Sequence, residues 1–212
     1  YMESNGYFDD DTPRPLAYRY RDYVIRALNR DLPFDVFLKQ QMAGDELAQY
    51  QPGDPVTPEV IELLEASHFF RNGPDGTGES DGNPWEVMRD RRAVIDSALE
   101  IFGSAVLGLT LQCAKCHDHK FEPVTQRDYY QLYAVLHPAF DVDEWVDPQD
   151  RIVSAPLPEE ALEFAEAVES GRARADDRPG KIAWPSDVNA DPSPVSLAVR
   201  GDFTGEGPAV EA

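Results

Sequence analysis

Cysteine is nearly absent: the 212 residues hold two, at positions 113 and 116. Two thiols that close in sequence do not form the disulfide framework of a small secreted scaffold. Basic side chains are also scarce, with 19 Lys and Arg against 40 Asp and Glu and a formal net charge of −21. That balance argues against nucleic acid or an anionic membrane as partner, because neutralising phosphate requires clustered Lys and Arg. A basic redox partner, cations or a saline surrounding suit such a surface. Long apolar runs are missing too. The longest, Ala105 to Leu111, is interrupted by Gly108 and Thr110, far short of a membrane span. No glycine-rich phosphate loop and no Ser/His/Asp motif occurs. What is present suffices for a core: 42% hydrophobic residues, with 10 Phe, 9 Tyr and 3 Trp. The length accommodates one good-sized domain, or one domain and a fragment of another.

The apolar spacing predicts a mainly α fold, an irregular helical domain with long loops. Leu16, Tyr20, Tyr23, Val24, Ala27 and Leu28 recur at helical intervals, in a helix opened by Thr12-Pro13 and ending near Asn29. A second helix follows Pro33 and carries Phe34, Phe37, Leu38 and Met42, with Gly44 as its stop. Thr57 and Pro58 have the form of an N-cap and first helical position, leading into Val60, Leu63, Leu64 and His68. Trp85 to about Leu111 carries the longest stripe: Met88, Ile95, Leu99, Phe102, Val106 and Leu109. Gln126 to Leu136 is a further helix. The tyrosines at 18, 20, 23, 129, 130 and 133 read as core and rim packing. The compact part is placed at 1–140, followed by an acidic linker with a short helix at 141–194. A largely irregular tail at 195–212 would be the start of a second domain, with a strand at Val195 to Val199. The opening Tyr1-Met2-Glu3-Ser4-Asn5-Gly6 reads as the interior of a domain, so truncation at the front is expected.

Residues 113–117 are Cys-Ala-Lys-Cys-His, the C-x-x-C-H spacing of covalent haem attachment. Thiols one turn apart can each add to a vinyl group on one haem edge, and the adjacent imidazole becomes the proximal iron ligand. Cys113 and Cys116 are thus the candidate thioether residues and His117 the candidate axial ligand, with Phe102, Val106 and Leu109 as apolar wall. His119 follows too closely to reach the opposite haem face. His68, His137, Met42 and Met88 are free to come from elsewhere, and His68, near the apolar face of its helix, is the best placed. Its plainer reading, which comes first, is a core-edge histidine with a satisfied hydrogen bond. Two other chemistries fit the same residues. Cys113 and Cys116 with one or two of His117, His119, His68 and His137 make a tetrahedral zinc set. Alternatively the pair is a C-x-x-C disulfide, with Lys115 and the following His lowering the thiol pKa.

Two weaker patterns complete the inventory. From Asp75, oxygen side chains at Asp75, Thr77, Glu79, Asp81, Asn83 and Glu86 follow a calcium-loop spacing, but Ser80 stands where that loop needs glycine. A solvated polar loop explains the segment as well. Glu3, Asp45, Glu46 and Asp118 are candidate carboxylates for a hydrolytic metal site beside His119; helix capping and ion pairs with Arg19 or Arg21 explain them equally.

Several blocks, in order, resemble one bacterial family. They are Tyr18-Arg19-Tyr20-Arg21-Asp22-Tyr23-Val24-Ile25, Asn29-Arg30-Asp31-Leu32-Pro33-Phe34-Asp35, Ala43-Gly44-Asp45-Glu46 and Leu107-Gly108-Leu109-Thr110. Cys113 to Pro123, followed by Asp128-Tyr129-Tyr130, belongs with them. The family is the domain of unknown function found beside the planctomycete-type cytochrome c domain in large secreted proteins, and the resemblance covers about residues 1–137. Ser196 to Asp202 is similar to the opening of the next domain in those proteins, although Phe203-Thr204-Gly205-Glu206-Gly207-Pro208 departs from its usual continuation. The resemblance implies a periplasmic or extracellular location and a redox partner or neighbouring domains of the same polypeptide. It supplies no activity. The expectation is an extracytoplasmic c-type haem domain with an electron-transfer role. The alternatives are a zinc- or calcium-dependent enzyme module near extracellular polymers and a metal-stapled interaction domain.

Overall fold

The computed structural model describes residues 3–6, 11–51, 54–78, 82–174, 176–183, 192–205 and 207–212. Helix dominates: six α-helices and four short strands among the described residues, a mainly α and irregular architecture as the apolar spacing predicts. None of these helices is long and apolar enough to cross a membrane. The chain divides into two compact units, one built from 1–4, 13–72 and 149–185, the other from 5–12, 73–148 and 186–212.

The first unit holds α1 (Ala17–Asn29), α2 (Phe34–Ala48), α3 (Pro58–Ser67), β1 (Ile152–Ser154), α6 (Pro158–Glu169) and β2 (Lys181–Ala183). Helix α1 starts later than Thr12-Pro13 suggests. Pro13 is taken up in an antiparallel bridge with Ser4. Pro13 and Pro15 also push the residues before them out of the helical region. Tyr23 and Ala27 face inward with no exposure and Tyr20 with little. Helix α2 does not stop at Gly44: it bends at Ala43 (φ −143°, ψ 36°) and runs on to a left-handed cap at Gln49. The glycine serves helix contact instead, since a Cβ there would stand 2.2 Å from the Leu63 carbonyl oxygen. Thr57 caps α3 by accepting from the Val60 amide at 3.3 Å.

Segment 149–183, read from sequence as part of an acidic linker, contributes its described residues to this unit. Strands β1 and β2 pair antiparallel with Val153 opposite Ile182. Val153, Ala155 and Ile182 join Tyr50, Val56 and Leu64 in one buried cluster. The Tyr50 hydroxyl donates to the Ser154 carbonyl at 3.1 Å. Alternation in a three-residue strand is too short to be legible, so the linker reading missed it.

The second unit holds α4 (Pro84–Phe102), α5 (Gln126–Leu136), β3 (Val195–Ser196) and β4 (Ala209–Val210). Asn83 caps α4 by accepting from the Trp85 amide at 3.0 Å. The long helix expected to Leu111 ends earlier: Gly103–Leu107 widens into a π turn, closed by left-handed Gly108 (φ 66°, ψ 25°). The Leu109 amide then donates to the Gly103 carbonyl at 2.9 Å. Gly103 is required there, because a Cβ would meet Leu111 Cγ at 2.7 Å. Helix α5 matches its expected bounds. Its start is a reciprocal cap in which the Thr125 amide donates to Asp128 Oδ2 at 2.7 Å and the Asp128 amide to Thr125 Oγ1 at 3.1 Å. Strand β3 is shorter than Val195 to Val199 and pairs antiparallel with β4, Val195 opposite Val210.

Candidate functional site

Cys113 sits on a single turn of 3-10 helix, Leu111–Lys115, that follows the π turn after α4, and Cys116 is the residue that caps it. Two residues anchor it: Leu111 is 2% exposed and Ala114 fully buried. With those inward, Cys113 and Cys116 fall on the outer face, and both are exposed free thiols. The Cys116 and His117 amides both approach the Cys113 carbonyl at 3.4 Å, which sets the turn that puts the imidazole next to the second thiol.

The turn is pinned on its inner side. Lys115 offers its carbonyl to Gln126 Nε2 at 2.9 Å and to the Tyr130 hydroxyl at 3.3 Å, so α5 holds it from two positions. The Lys115 ammonium pairs with Asp96 on α4 at 2.5 Å, and the other Asp96 oxygen accepts from the Tyr129 hydroxyl at 2.5 Å. Burial first, and the Asp96 carboxylate second, push the Tyr129 phenol far above its usual range. It therefore stays a neutral donor to Asp96. Burial likewise raises Tyr130 to about 12. Gln126 Nε2 also donates to the Ala198 carbonyl at 2.8 Å. The next turn, Val199–Gly201, lies against the motif: at Gly201 (φ +78°) a Cβ would stand 2.5 Å from Cys116 Sγ.

His117 is exposed, and its Nδ1 lies 2.8 Å from the Asp118 carbonyl oxygen. A carbonyl only accepts, so Nδ1 carries the proton and Nε2 of the neutral ring keeps its lone pair outward. This is the tautomer and second contact typical of metal-ligating histidines. His119 has the opposite arrangement. Its Nδ1 accepts from the Phe121 amide at 3.2 Å and the Glu122 amide at 2.9 Å, so the neutral ring carries its proton on Nε2. His119 braces the loop that leads to α5. Asp118 Oδ1 accepts from the Gln126 amide at 2.8 Å, at the first turn of that helix. Of the apolar residues expected to wall the site, Phe102, Val106 and Leu109 are half-buried; Leu107 is 46% and Phe121 81% exposed.

The structure brings Cys113, Cys116, His117 and His119 onto one turn and loop. His68 belongs to the first unit and is enclosed there, 4% exposed. Its Nδ1 donates to the Ala183 carbonyl at 3.2 Å, and its ring lies 5.9 Å from that of Tyr20. Burial above all, with Arg71 adding to it, lowers its pKa to about 3. His137, in the second unit, is buried, its ring tilted 31° to that of Tyr133 with the centroids 6.0 Å apart. Among the described residues no group of three or more His, Cys, Asp or Glu side chains is arranged to hold a metal ion.

The remaining carboxylates have structural partners. Glu3 pairs with Arg21 at 3.6 Å. Asp45 is raised to about 7, by burial first and then by a hydrogen bond and charge repulsion from Glu46. Of the calcium-loop spacing, Glu79, Ser80 and Asp81 lie outside the described residues. Asp75 accepts from the Thr77 amide at 3.0 Å within its own turn. Sequence reasoning overlooked the clamp of Asp96, Gln126, Tyr129 and Tyr130. Its signal, a carboxylate on one helix and hydroxyls on another, acquires meaning only when the helices meet.

A family model described as protein of unknown function, PSCyt2 (DUF1549), matches residues 1–140. No curated protein and no solved structure matches.

Proposed function

The chain belongs to the PSCyt2 family, and on that premise we propose that residues 113–117 are a covalent haem-attachment site on an extracytoplasmic electron-transfer domain. One observation carries the reading. The only two thiols of the chain stand exposed on one turn, beside an imidazole whose Nδ1 proton is held by a carbonyl and whose Nε2 is left as acceptor.

The donor set fits the group. Cys113 and Cys116 would hold the haem edge through thioethers and His117 Nε2 would be the axial ligand. Haem held in this way supplies one-electron transfer. The chain's own residues do the positioning. Leu111 and Ala114 fix the turn from within, the Lys115 carbonyl ties it to α5, and Asp118 orients His117 through its carbonyl while its carboxylate meets the α5 amide. Leu107 and Phe121 are exposed and Phe102, Val106 and Leu109 half-buried, so the segments on either side of the motif offer apolar surface. An open setting of this kind leaves a redox centre within reach of an external partner, and the acidic surface favours a basic one. The planctomycete cytochrome association in the family resemblance agrees with this reading.

The test is to export the chain in cells that carry haem-maturation machinery and record the pyridine haemochrome spectrum. The expected result is c-type bands at one haem per chain, abolished in a Cys113→Ala, Cys116→Ala double variant. A purified protein without such bands overturns the proposal.

A further inference from the structure

The second unit contains a cavity of about 230 Å³ between the C-terminal end of α5, Arg92 on α4 and the segment around β3. Three of the residues lining it each carry a buried polar atom with no hydrogen-bond partner among the described residues: Tyr133 Oη, His137 Nδ1 and Arg92 Nε. Tyr133 and His137 are each only 3% exposed. Buried polar groups left unmatched cost stability, and native proteins hold few of them. Two fixed donors, Tyr133 Oη–H and Arg92 Nε–H, and an imidazole that becomes a third with its proton on Nδ1 describe a place for something that accepts hydrogen bonds.

Charge narrows what that is. Among the described residues Arg92 makes no ion pair with a carboxylate; its guanidinium instead lies 5.1 Å from the centre of the Phe203 ring. An unmatched guanidinium in a chain of net charge −21 is conspicuous, because acidic partners are abundant. Nearby Asp141 is committed elsewhere: it accepts from the Asp143 and Glu144 amides at 2.9 and 3.3 Å and the Ser193 amide at 3.4 Å. Asp143 lines the cavity from an exposed position. Drug-sized ligands need larger pockets, whereas an anion of four or five heavy atoms fits beside the apolar Val142 and Phe203 walls.

We propose that this cavity binds a small oxyanion, a phosphate-type ion or a monocarboxylate, through Arg92, the Tyr133 hydroxyl and the His137 ring. The site is separate from the haem proposal and does not depend on it. His137 is held below its ordinary pKa by burial and by Arg92, and is opposed in this by Asp141 and Asp143. A bound anion adds a further negative charge beside the ring, so occupancy brings Nδ1 a proton partner.

The experiment titrates the full chain with inorganic phosphate and, separately, with acetate, at ionic strength matched by chloride. It reads the thermal midpoint and the ¹⁵N resonances of the His137 ring. The expected result is a saturable rise in midpoint with one of the two anions and a shift of the His137 Nδ1 resonance at the same midpoint concentration; the anion that saturates identifies the source. Tyr133→Phe removes a hydroxyl that has no partner in the empty site, so it keeps the fold, and it weakens anion binding about tenfold. Arg92→Gln weakens it more. Stabilisation no greater than that of chloride, the same response in both variants, or ordered water alone in a structure grown with the anion each overturns the proposal.

Discussion

Acid sets two groups of the first unit against each other. His68 is held neutral, with a pKa of about 3 against an ordinary 6.5, chiefly because burial penalises the imidazolium. Its contribution is fully present above pH 6.5 and is lost as pH falls, because only the unfolded chain takes up the proton. Asp45 has the opposite sign. Its pKa of about 7 lies above the ordinary 3.8, so the folded chain takes up the proton first. Its contribution is present below pH 3.8 and is lost as pH rises through 7. Between pH 7.5 and 4.5 the His68 effect amounts to about 3 kcal/mol, from roughly two pH units at a little over 1 kcal/mol each. The Asp45 effect opposes it by at most about 3 kcal/mol, and by less because that carboxyl is partly open to solvent. The two nearly cancel, so the wild-type unit is expected to change little in stability across this window. Variants separate them. In His68→Gln the stability deficit relative to wild type shrinks by about 3 kcal/mol on going from pH 7.5 to 4.5. In Asp45→Asn the variant gains on wild type as pH rises. Hydrogen exchange of the α1, α2 and α3 amides under native conditions reads this unit by itself. Parallel pH curves for His68→Gln and wild type would refute a histidine kept neutral by burial.

Three other outcomes are expected. Gly44→Ala drives a methyl to 2.2 Å from the Leu63 carbonyl oxygen, forcing α2 off α3; urea unfolding should show a loss of about 2 kcal/mol or more, and an unchanged midpoint would mean the helices do not touch there. Before any haem is attached, both exposed thiols should react with Ellman's reagent in the folded protein, two equivalents without denaturant; fewer than one would show that the sulfurs are covered. Gln126→Ala removes bonds to the Lys115 and Ala198 carbonyls and is expected to cost about 1–3 kcal/mol in urea unfolding and to raise exchange at the Cys116 and His117 amides. Unaltered exchange there would show that the clamp does not steady the motif.

The helices with strong local signals were legible. Thr57-Pro58 is short-range chemistry, and a helix starts there; the helices after Asn83 and Thr125 were placed by their apolar spacing, while the caps that open them emerged only from the structure. The prolines at 13 and 15 were harder, because proline begins helices and also bends the chain before them. Gly44 illustrates a deeper limit: a glycine that ends a helix and one that lets a neighbouring helix approach look alike in one dimension. Cys113, Cys116 and His117 stood out because their spacing is itself the chemistry. The roles of His68 and His119 depended on what lay against each ring: a distant carbonyl at Ala183 in one case, two amides of the following loop in the other.

Composition and spacing alone settled that the chain is acidic, mainly helical and equipped with a C-x-x-C-H turn, since these follow from charge, periodicity and residues five apart or fewer. Tertiary structure decided which face of that turn is open, what encloses His68, that β1 and β2 complete a core, and that three polar groups, unmatched among the described residues, share one cavity. Those depend on atoms brought together from distant parts of the chain, where the free energy of burial and of hydrogen bonding is set by neighbours that local sequence does not name.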